Sequence, residues 1–506
     1  MKKICFVALF SWGTLFAQTL PADETVLRFA NTITARDLRA HIGFLADDLM
    51  EGRETGQRGQ QLAANYVRAQ FMRLGLLPGN EGSYFQPYIL EDGTFRQATM
   101  TTGSKKWTYR TDFFNISGLL PAALEGAPVF GGYARSENLQ NLNVRDKIIV
   151  ALADDQAGGS LYDQVSAWEE RAAIAEAAGA RALVYILPDD EFSTLSRFAP
   201  SRFTRVTGAE APRQFPVIYL SPAMGTYLMD KAKTSLADQV SFLATNPVPQ
   251  PLNWTKLPFA LVSDFEVERL PAANVLGVLE GTDKKDEYLI ITGHYDHIGI
   301  VNGQINNGAD DDASGTSTVL ELAEAFAQAA EAGFRPRRTI VFMTVSGEEK
   351  GLLGSEFYTE NPVFPLSQTV CNLNIDMVGR IGDEYMDSPD STNYIYLIGA
   401  DKLSSELHTL SESANDRYTR LRLDYKYNDE RDPNRFYYRS DHYNFAKNGI
   451  PIIFYFNGVH PDYHRPTDDI EKIQYEKAAL VGKLVFTTAW EVANRDNRLV
   501  VDKAAK

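Results

Sequence analysis

Cysteine and long apolar runs are scarce in this 506-residue chain. Its two cysteines are Cys5 and Cys371, and Cys5 lies in an N-terminal segment that we expect to be removed. With one cysteine left, we expect no intramolecular disulfide, so core packing and bound ions must stabilise the fold. After the N-terminus, no stretch approaches the roughly 18 consecutive apolar residues that a transmembrane helix needs.

Positive charge is also in deficit. The chain has 50 Lys and Arg against 66 Asp and Glu, which gives a formal net charge of −16. This balance argues against nucleic acid or an anionic membrane as a partner. An apolar content of 44% and a charged content of 23% are typical of a folded protein, and the length predicts two domains.

The N-terminus has the pattern of a secretory signal peptide. "MKK" precedes the apolar run "ICFVALFSWGTLF", and the polar "AQTLPADE" follows it. We expect cleavage after Ala17, so residues 1–17 are predicted to be a signal peptide. The mature protein is then expected to be exported, to the periplasm or the medium, without a transmembrane anchor.

The remaining chain divides by pattern into three pieces. Residues 117–262 contain no histidine and no cluster of catalytic groups, so we interpret them as an inserted structural or substrate-screening domain. The flanking pieces, 18–116 and 263–506, are predicted to form one domain together. The Pro-rich "NPVPQPLNWTKLP" marks the return from the insertion.

The C-terminal piece predicts an α/β fold. Near-continuous apolar strands such as "EYLIITGH", "RRTIVFMTVS" and "IPIIFYF" alternate with helical segments. This pattern predicts a mostly parallel or mixed central sheet with helices on both faces. Ligands of such sheets bind beyond the carboxyl ends of the strands, so functional residues should follow the strands directly.

Acidic and imidazole side chains do follow these strands. The candidates are His294, Asp296, Asp310, Glu348, Glu349, Asp376, His460 and His464. Taken singly, each has an ordinary explanation, such as a carboxylate at a helix N-terminus or a solvated turn. Their delivery by five separate segments to one edge of the sheet indicates a site.

Histidine and carboxylate ligands without cysteine suit zinc or another first-row metal. Two metals about 3.5–4 Å apart need one shared carboxylate and two further ligands each. The candidates supply this set and leave one carboxylate over. Of the adjacent Glu348 and Glu349, one can face a metal while the other takes the proton of the attacking water.

Several motifs carry a family resemblance. "EGRETGQRG", "GHYDHIG", "NNGADDDASGTS", "SGEEKGLLGS", "NIDMVG", "RSDHYNFAKNGIP" and "YHRPTDD" run along nearly the whole mature chain. The chain resembles the secreted co-catalytic di-zinc aminopeptidases, the group that also contains glutamate carboxypeptidase and the transferrin receptor. The resemblance implies a zinc exopeptidase fold with a β-rich α/β protease-associated domain inserted at 117–262.

The resemblance also implies roles. It assigns five ligands of two zinc ions, which are His294, Asp310, Glu349, Asp376 and His464. Asp310 would bridge the ions, with a cis peptide bond to Asp311. Glu348 would be the general base, and Asp296 would orient His294. Peptides with a free N-terminus would be the substrates.

Other assignments stay open at this stage. Asp311 and Asp312 adjoin the predicted bridging residue, and His460 competes with His464. His297 and His442 are expected near the site as supporting or structural residues. We predict Tyr437, three residues before "SDH", as the residue that stabilises the oxyanion, with Tyr463 as the other candidate.

Different activities remain as alternatives. A glutamate-type carboxypeptidase or dipeptidase would need arginines to hold a terminal carboxylate, and the available ones are Arg380, Arg431, Arg435 and Arg439. A single-zinc glutaminyl cyclase would share the fold. A catalytically inactive, receptor-like binding protein should have lost ligands or the base, whereas all of these residue types are present.

Overall fold

The structure, a computed structural model, describes residues 23–116, 120–154, 161–200, 202–207, 215–254 and 257–503. The predicted signal peptide lies outside these residues. Within them, no helix combines the length and the apolar content needed to cross a bilayer.

Helices and strands alternate along most of this part of the chain, and we number both in chain order. The helices are α1 Glu24–Ala30, α2 Ala35–Leu45, α3 Arg58–Arg73, α4 Ser136–Leu139, α5 Leu161–Ala177, α6 Asp189–Leu195, α7 Pro222–Lys231, α8 Leu236–Leu243, α9 Ala313–Glu331, α10 Leu353–Glu360, α11 Ser405–Tyr418, α12 His442–Ala446 and α13 Tyr475–Asn494. The strands are β1 Leu77–Pro78, β2 Phe85–Thr102, β3 Lys105–Thr108, β4 Phe113–Phe114, β5 Ala123–Gly126, β6 Pro128–Phe130, β7 Ile148–Leu152, β8 Ala182–Ile186, β9 Arg202–Thr207, β10 Val217–Leu220, β11 Phe259–Leu279, β12 Lys284–His294, β13 Ile300–Val301, β14 Gln304–Ile305, β15 Arg338–Val345, β16 Thr369–Ile375, β17 Tyr394–Ile398, β18 Arg422–Asp424 and β19 Ile452–Phe456.

The chain forms two compact units. One comprises the residues up to Tyr88 together with those from Pro271 onward, and the other comprises Ile89–Leu270. The predicted boundaries at 117 and 262 were therefore wrong. The long strands β2 and β11 each run through a boundary, so no turn or change of composition marks it in the sequence.

The first unit is built on a mixed sheet, as the sequence predicted. Its strand order is β18-β17-β19-β16-β12-β15-β11, and β1 pairs with β11. Strands β15, β12, β16 and β19 are mutually parallel neighbours, whereas β11 and β17 run antiparallel to their neighbours. The four parallel strands thus end at the same edge of the sheet.

Apolar packing covers both faces of this sheet. Every residue of β15 and of β16 is buried, as expected for parallel strands that are covered on both faces. On one face, α1, α2, α3, α9 and α13 contribute to the largest core cluster. On the other face, residues of α10 and α12 pack against β12, β15 and β19. Predicted coverage on both faces is confirmed.

The second unit has its own core. Strands β6, β7, β8 and β10 form a parallel sheet, and β4 pairs antiparallel with β10. Strand β2 pairs with β3 and β9, and β5 pairs with the start of β11, all antiparallel. Trp168, Tyr185 and Tyr219 are fully buried in this core. Strands β7, β8 and β10 are formed by the apolar segments "IIVAL", "ALVYI" and "VIYL".

Candidate metal centre

The carboxyl ends of the four parallel strands of the first unit carry the predicted residues. His294 ends β12, the loop after β15 carries Glu348 and Glu349, and Asp376 follows β16 directly. His464 lies in the loop after β19. Because the strands are parallel neighbours, these side chains meet at one edge of the sheet.

One group of ligand-type atoms forms around His294. Its Nε2 lies 3.2 Å from Oδ1 of Asp311 and 3.6 Å from Oδ1 of Asp376. Oε2 of Glu348 is 3.9 Å away. The three residues His294, Asp311 and Asp376 are all buried and their ligand atoms are close enough to share one metal ion.

A second group shares Asp311. Nε2 of His464 lies 3.1 Å from Oδ2 of Asp311 and 3.2 Å from Oε2 of Glu349. Nδ1 of His297 donates a hydrogen bond to Oε1 of Glu349 at 2.7 Å, and it is 3.8 Å from Oδ2 of Asp311. His297 therefore holds one oxygen of Glu349 while the other faces His464.

The three consecutive aspartates have different partners. Asp310, predicted as the shared residue, points away from both groups: its carboxylate accepts hydrogen bonds from the backbone N–H of Gly379 (2.6 Å) and the side-chain amide of Asn457 (3.2 Å). Asp311 occupies the shared position instead, so the prediction for Asp310 was wrong. The cis peptide bond likewise lies between Asp311 and Asp312, one residue later than predicted.

Asp312 organises the backbone around the centre. Its side chain caps α9 by accepting a hydrogen bond from the N–H of Gly315 at 2.9 Å. It also accepts from the N–H of His294 and of Met377, both at 3.0 Å. One carboxylate thus ties the ends of two strands to the start of a helix.

His460 is not part of either group. It is buried, and its Nε2 lies 3.3 Å from Oδ2 of Asp310. His442 is also buried, stacks on Phe454 with ring centroids 4.5 Å apart, and donates from Nε2 to the backbone carbonyl of Tyr437 at 2.8 Å. Both histidines are structural partners of the surrounding loops.

The ligand atoms fit zinc-sized ions. With metal–ligand bonds of about 2.0–2.1 Å, two ligands of a tetrahedral zinc lie about 3.3 Å apart. The separations of 3.1–3.6 Å between the histidine and carboxylate atoms match this spacing. Nε2 of His294 is buried and makes no hydrogen bond, although a carboxylate oxygen is so near. Nε2 of His294 is thus free to donate its lone pair to a metal ion, as a metal-ligating histidine must.

Burial and neighbouring charges shift the pKa values of the carboxyl groups in the centre. Burial opposes ionisation of Asp311, but its contacts with His294 and His464 prevail and hold its pKa well below the usual range. Burial is likewise outweighed at Glu349, where contacts with His297 and His464 lower the pKa to about 2. Burial raises the pKa of Glu348 well above its usual range, and nearby Glu349 adds to this. Asp311 and Glu349 thus favour the ionised form, whereas burial raises the pKa of both Glu348 and Asp376.

Asp296, predicted to orient His294, lies next to its ring. Nδ1 of His294 is 3.1 Å from the backbone oxygen of Asp296 and 3.7 Å from its carboxylate. The carboxylate accepts a hydrogen bond from the hydroxyl of Thr55 at 2.6 Å and from the N–H of Glu348 at 3.4 Å. Asp296 therefore orients the His294 ring mainly through its main chain.

The structure does not bring Tyr437 to the centre, so this prediction was wrong. Its ring lines a different cavity with Asp401 and Lys402. Tyr463, the other candidate, stacks on His464 with ring centroids 3.9 Å apart and lines the cavity beside Asp311 and Glu348. In the short turn 436–438 it is Phe436 that faces this cavity, because successive residues of a turn point in different directions.

Sequence reasoning missed several supporting residues. Arg53 is fully buried and donates to the backbone carbonyls of Leu45 (2.6 Å), Tyr295 (3.0 Å), Asn307 (2.6 Å) and Gly308 (2.9 Å). It thereby closes the loop between β12 and α9. The motif "EGRETG", which also contains Thr55, was the available signal.

Two further supports act directly on ligand residues. The hydroxyl of Ser440 donates to Oδ2 of Asp376 at 2.6 Å. Oδ2 of Asp468 accepts from the backbone N–H of Asp310 (3.0 Å) and of Asp311 (3.2 Å). Both residues lie in motifs already quoted, "RSDH" and "YHRPTDD", beside more obvious candidates.

Comparison with known families agrees with this geometry. A family model described as peptidase family M28 matches residues 274–489, which include both groups of ligand-type atoms. Over these residues the chain is similar to peptidase family M28. The M28 region begins within β11 and ends within α13.

Curated relatives of the M28 region are peptidases by name. Aminopeptidase YwaD of Bacillus subtilis (strain 168) is 26% identical over 241 residues, which are 44% of this chain and 46% of the relative. A probable glutamate carboxypeptidase of Arabidopsis thaliana is 34% identical over 131 residues, 26% of this chain and 17% of the relative. The chain spans about half the length, or less, of these relatives.

A solved structure shares the fold of this chain. The aminopeptidase from Aneurinibacillus sp. strain AM-1 aligns with 95% of this chain and 98% of its own, with a TM-score of 0.53 and 20% identity. At this identity the likeness shows the fold alone, and it confirms the predicted α/β class.

Proposed function

We propose that the protein is a zinc-dependent aminopeptidase that holds two zinc ions. One observation carries the proposal: the two oxygens of Asp311 face Nε2 of His294 and Nε2 of His464, at 3.2 and 3.1 Å. A carboxylate shared between two histidines, each with a further carboxylate at similar distance, is the donor set of a two-metal hydrolytic centre.

The ligands divide between the two ions as follows. His294 and Asp376 would hold the first ion, Glu349 and His464 would hold the second, and Asp311 would bridge them. His297 fixes the orientation of Glu349, and Ser440 fixes Asp376. Such supporting hydrogen bonds orient ligands and tune the metal.

Glu348 is the proposed general base. The bound ions would polarise the substrate carbonyl and lower the pKa of the attacking water. Glu348, whose pKa burial raises, accepts the proton of that water and passes it to the leaving amine. The hydroxyl of Tyr463 donates a hydrogen bond to the carbonyl oxygen as charge develops there.

The remaining assignments follow from this activity. Substrates are peptides with a free N-terminus, and their first side chain enters the cavity lined by Phe436, Phe454 and Phe456. The unit Ile89–Leu270, with its mixed α/β and antiparallel β content, would be a protease-associated domain. The N-terminal pattern supports export.

Hydrolysis by the purified protein tests the proposal. The panel contains leucyl anilide, N-acetylated dipeptides and a peptide with an N-terminal glutamine, with zinc and with chelator. We expect chelator-sensitive release of free N-terminal residues. Glu348→Gln should lower kcat roughly 10²–10⁴-fold while two metal ions per chain remain bound. Glu356→Gln, on the neighbouring helix α10, is the control and should keep full activity.

Other outcomes separate the alternatives. Hydrolysis restricted to N-acetylated dipeptides would replace the aminopeptidase proposal with a carboxypeptidase. Cyclisation of the glutaminyl peptide with one bound metal would indicate a cyclase. An inactive protein with two bound metals would contradict catalysis and favour a receptor-like role.

A further inference from the structure

One basic side chain lines the cavity beside the candidate metal centre. In the part of the chain that the structure describes, carboxylates and apolar side chains line this cavity, together with Tyr463 and Arg439. Arg439 is thus the single cation among carboxylates and apolar side chains. Its guanidinium group is exposed.

The other arginines of the nearby loops are already engaged. Arg380 pairs with Asp462 at 2.7 Å and with Asp468 at 3.3 Å. Arg431 pairs with Asp429 at 2.8 Å. Arg435 lies over the ring of Tyr438 and lines a different cavity.

Arg439 has only weak neutral partners. It donates to the hydroxyl of Tyr463 at 3.3 Å and to the backbone carbonyl of Asn434 at 3.5 Å. Among the described residues, no carboxylate lies within ion-pair distance of it. Most donors of the guanidinium group therefore stay available for a ligand.

Arg439 lies next to residues that contact the candidate metal centre. It donates to the hydroxyl of Tyr463, whose ring stacks on His464. Its neighbour Ser440 donates to Asp376. Arg439 thus lies beside Tyr463 in space and beside Ser440 in the chain, and both of these residues contact members of the two groups of ligand-type atoms.

We propose that the guanidinium group of Arg439 binds a carboxylate of the substrate. This inference rests on the proposed peptidase function. Two divalent cations would balance the four carboxylates Asp311, Glu348, Glu349 and Asp376, which leaves the charge of Arg439 unmatched. A guanidinium group presents paired donors that fit a carboxylate.

A peptide offers that carboxylate from two sources. One is the terminal carboxylate of a dipeptide, and the other is an acidic side chain. Two matched substrate pairs separate them: Leu-Gly against Leu-Gly amide for the terminal carboxylate, and Glu-Gly amide against Gln-Gly amide for the side chain. Within each pair only the negative charge differs, so the ratio of kcat/KM values reports its recognition.

Substitution of Arg439 should change one of these ratios. For Arg439→Gln we expect the ratio of acid to neutral substrate to fall roughly tenfold or more, mainly through KM. If the substitution also disturbs Tyr463, kcat/KM changes equally for both substrates of a pair, so the ratio is unaffected. Arg439→Lys keeps the positive charge but loses the paired N–H donors of the guanidinium group. It should therefore retain part of the preference for the acidic substrate. Arg431→Gln, in the same loop, should leave both ratios at their wild-type values.

Binding gives a second readout that does not depend on turnover. Calorimetric titration of metal-loaded Glu348→Gln with each substrate pair should show the same preference, lost when Arg439→Gln is added. Equal ratios and equal affinities in the proteins with and without Arg439 would overturn the inference. Hydrolysis of the neutral amides in that case would leave the proposed function intact, whereas failure to release an N-terminal residue from any of the four substrates would contradict the proposed function itself.

Discussion

The carboxylate of Asp468 accepts a hydrogen bond from the backbone N–H of Asp311 at 3.2 Å. The same oxygen accepts from the N–H of Asp310 at 3.0 Å. Asp468 lies four residues after His464, so one side chain joins the loop that carries the shared carboxylate to the loop that carries the second histidine.

Replacing Asp468 should weaken the second metal position. In Asp468→Ala both backbone N–H groups lose their acceptor, and we expect the affinity for the metal held by Asp311 and His464 to fall roughly 10–100-fold. Competition with a chromogenic chelator measures this affinity. Asp462→Ala, in the same loop and bonded to Arg380, is the control. A folded Asp468→Ala protein with wild-type affinity for both ions would contradict the positioning role.

The neighbouring aspartates should differ in their effect on metal content. Asp311→Asn removes the charge shared by both groups, so we expect loss of both metal ions. Asp310→Asn keeps an oxygen that can accept from Gly379, so we expect two ions to remain and stability to fall by about 1–3 kcal/mol. Metal analysis of the two purified variants checks this, and equal metal contents would contradict the assignment of Asp311.

Arg53 should contribute strongly to stability. Arg53→Met leaves four backbone carbonyls without their donor, three of them in the loop between β12 and α9, and should lower the free energy of unfolding by about 3 kcal/mol or more. Arg58→Met, in the same motif, removes an exposed pair with Glu51 and should cost about 1 kcal/mol or less. Urea unfolding measures both, and similar losses would show that the buried contacts of Arg53 carry no special weight.

The buried His442 should make stability depend on pH. Burial lowers its pKa to about 3, although the hydrogen bond from its Nε2 to the carbonyl of Tyr437 opposes this shift. An unfolded histidine has a pKa of about 6.5. Between these values the unfolded state binds a proton that the folded state does not, so stability falls as pH decreases from about 6.5 towards 3.

A nontitrating variant isolates this effect. His442→Gln should lose less stability per pH unit over that window, by up to about 1.4 kcal/mol per unit. Titration of His294 and His464 is common to both proteins and cancels in the comparison. Parallel curves of unfolding free energy against pH for the two proteins would contradict the prediction.

The sequence predicted the sheet and its functional edge because those features depend on periodicity. Strands β12, β15 and β19 contain apolar runs, and the polar residues that follow those runs stand out. The choice among Asp310, Asp311 and Asp312 depends instead on which backbone N–H groups each carboxylate meets, such as those of Gly379 and Met377. Those partners are distant in the chain, so the pattern of three aspartates does not contain the answer.

Two other errors have similar causes. Tyr437 and Tyr463 both stand next to recognisable motifs, but only the turn 436–438 decides which aromatic ring enters the cavity. The insertion boundaries fall inside β2 and β11, where a continuous strand pattern conceals them. Arg53 was overlooked because an arginine in a Gly-rich segment has the pattern of an exposed turn, and its burial depends on carbonyls that come together only in the folded unit.

Arg53 also bears on where this protein could be divided. The segment that matches the family model, 274–489, contains three of the four carbonyl groups that Arg53 binds. Arg53 itself and Leu45, which carries the fourth carbonyl group, lie more than 200 residues before this segment. We therefore expect that a fragment limited to this segment would not fold autonomously. A truncated protein that starts at its boundary would lack the side chain that shapes the metal-binding loop, so minimal catalytic fragments should retain the N-terminal helices from Glu24 onward.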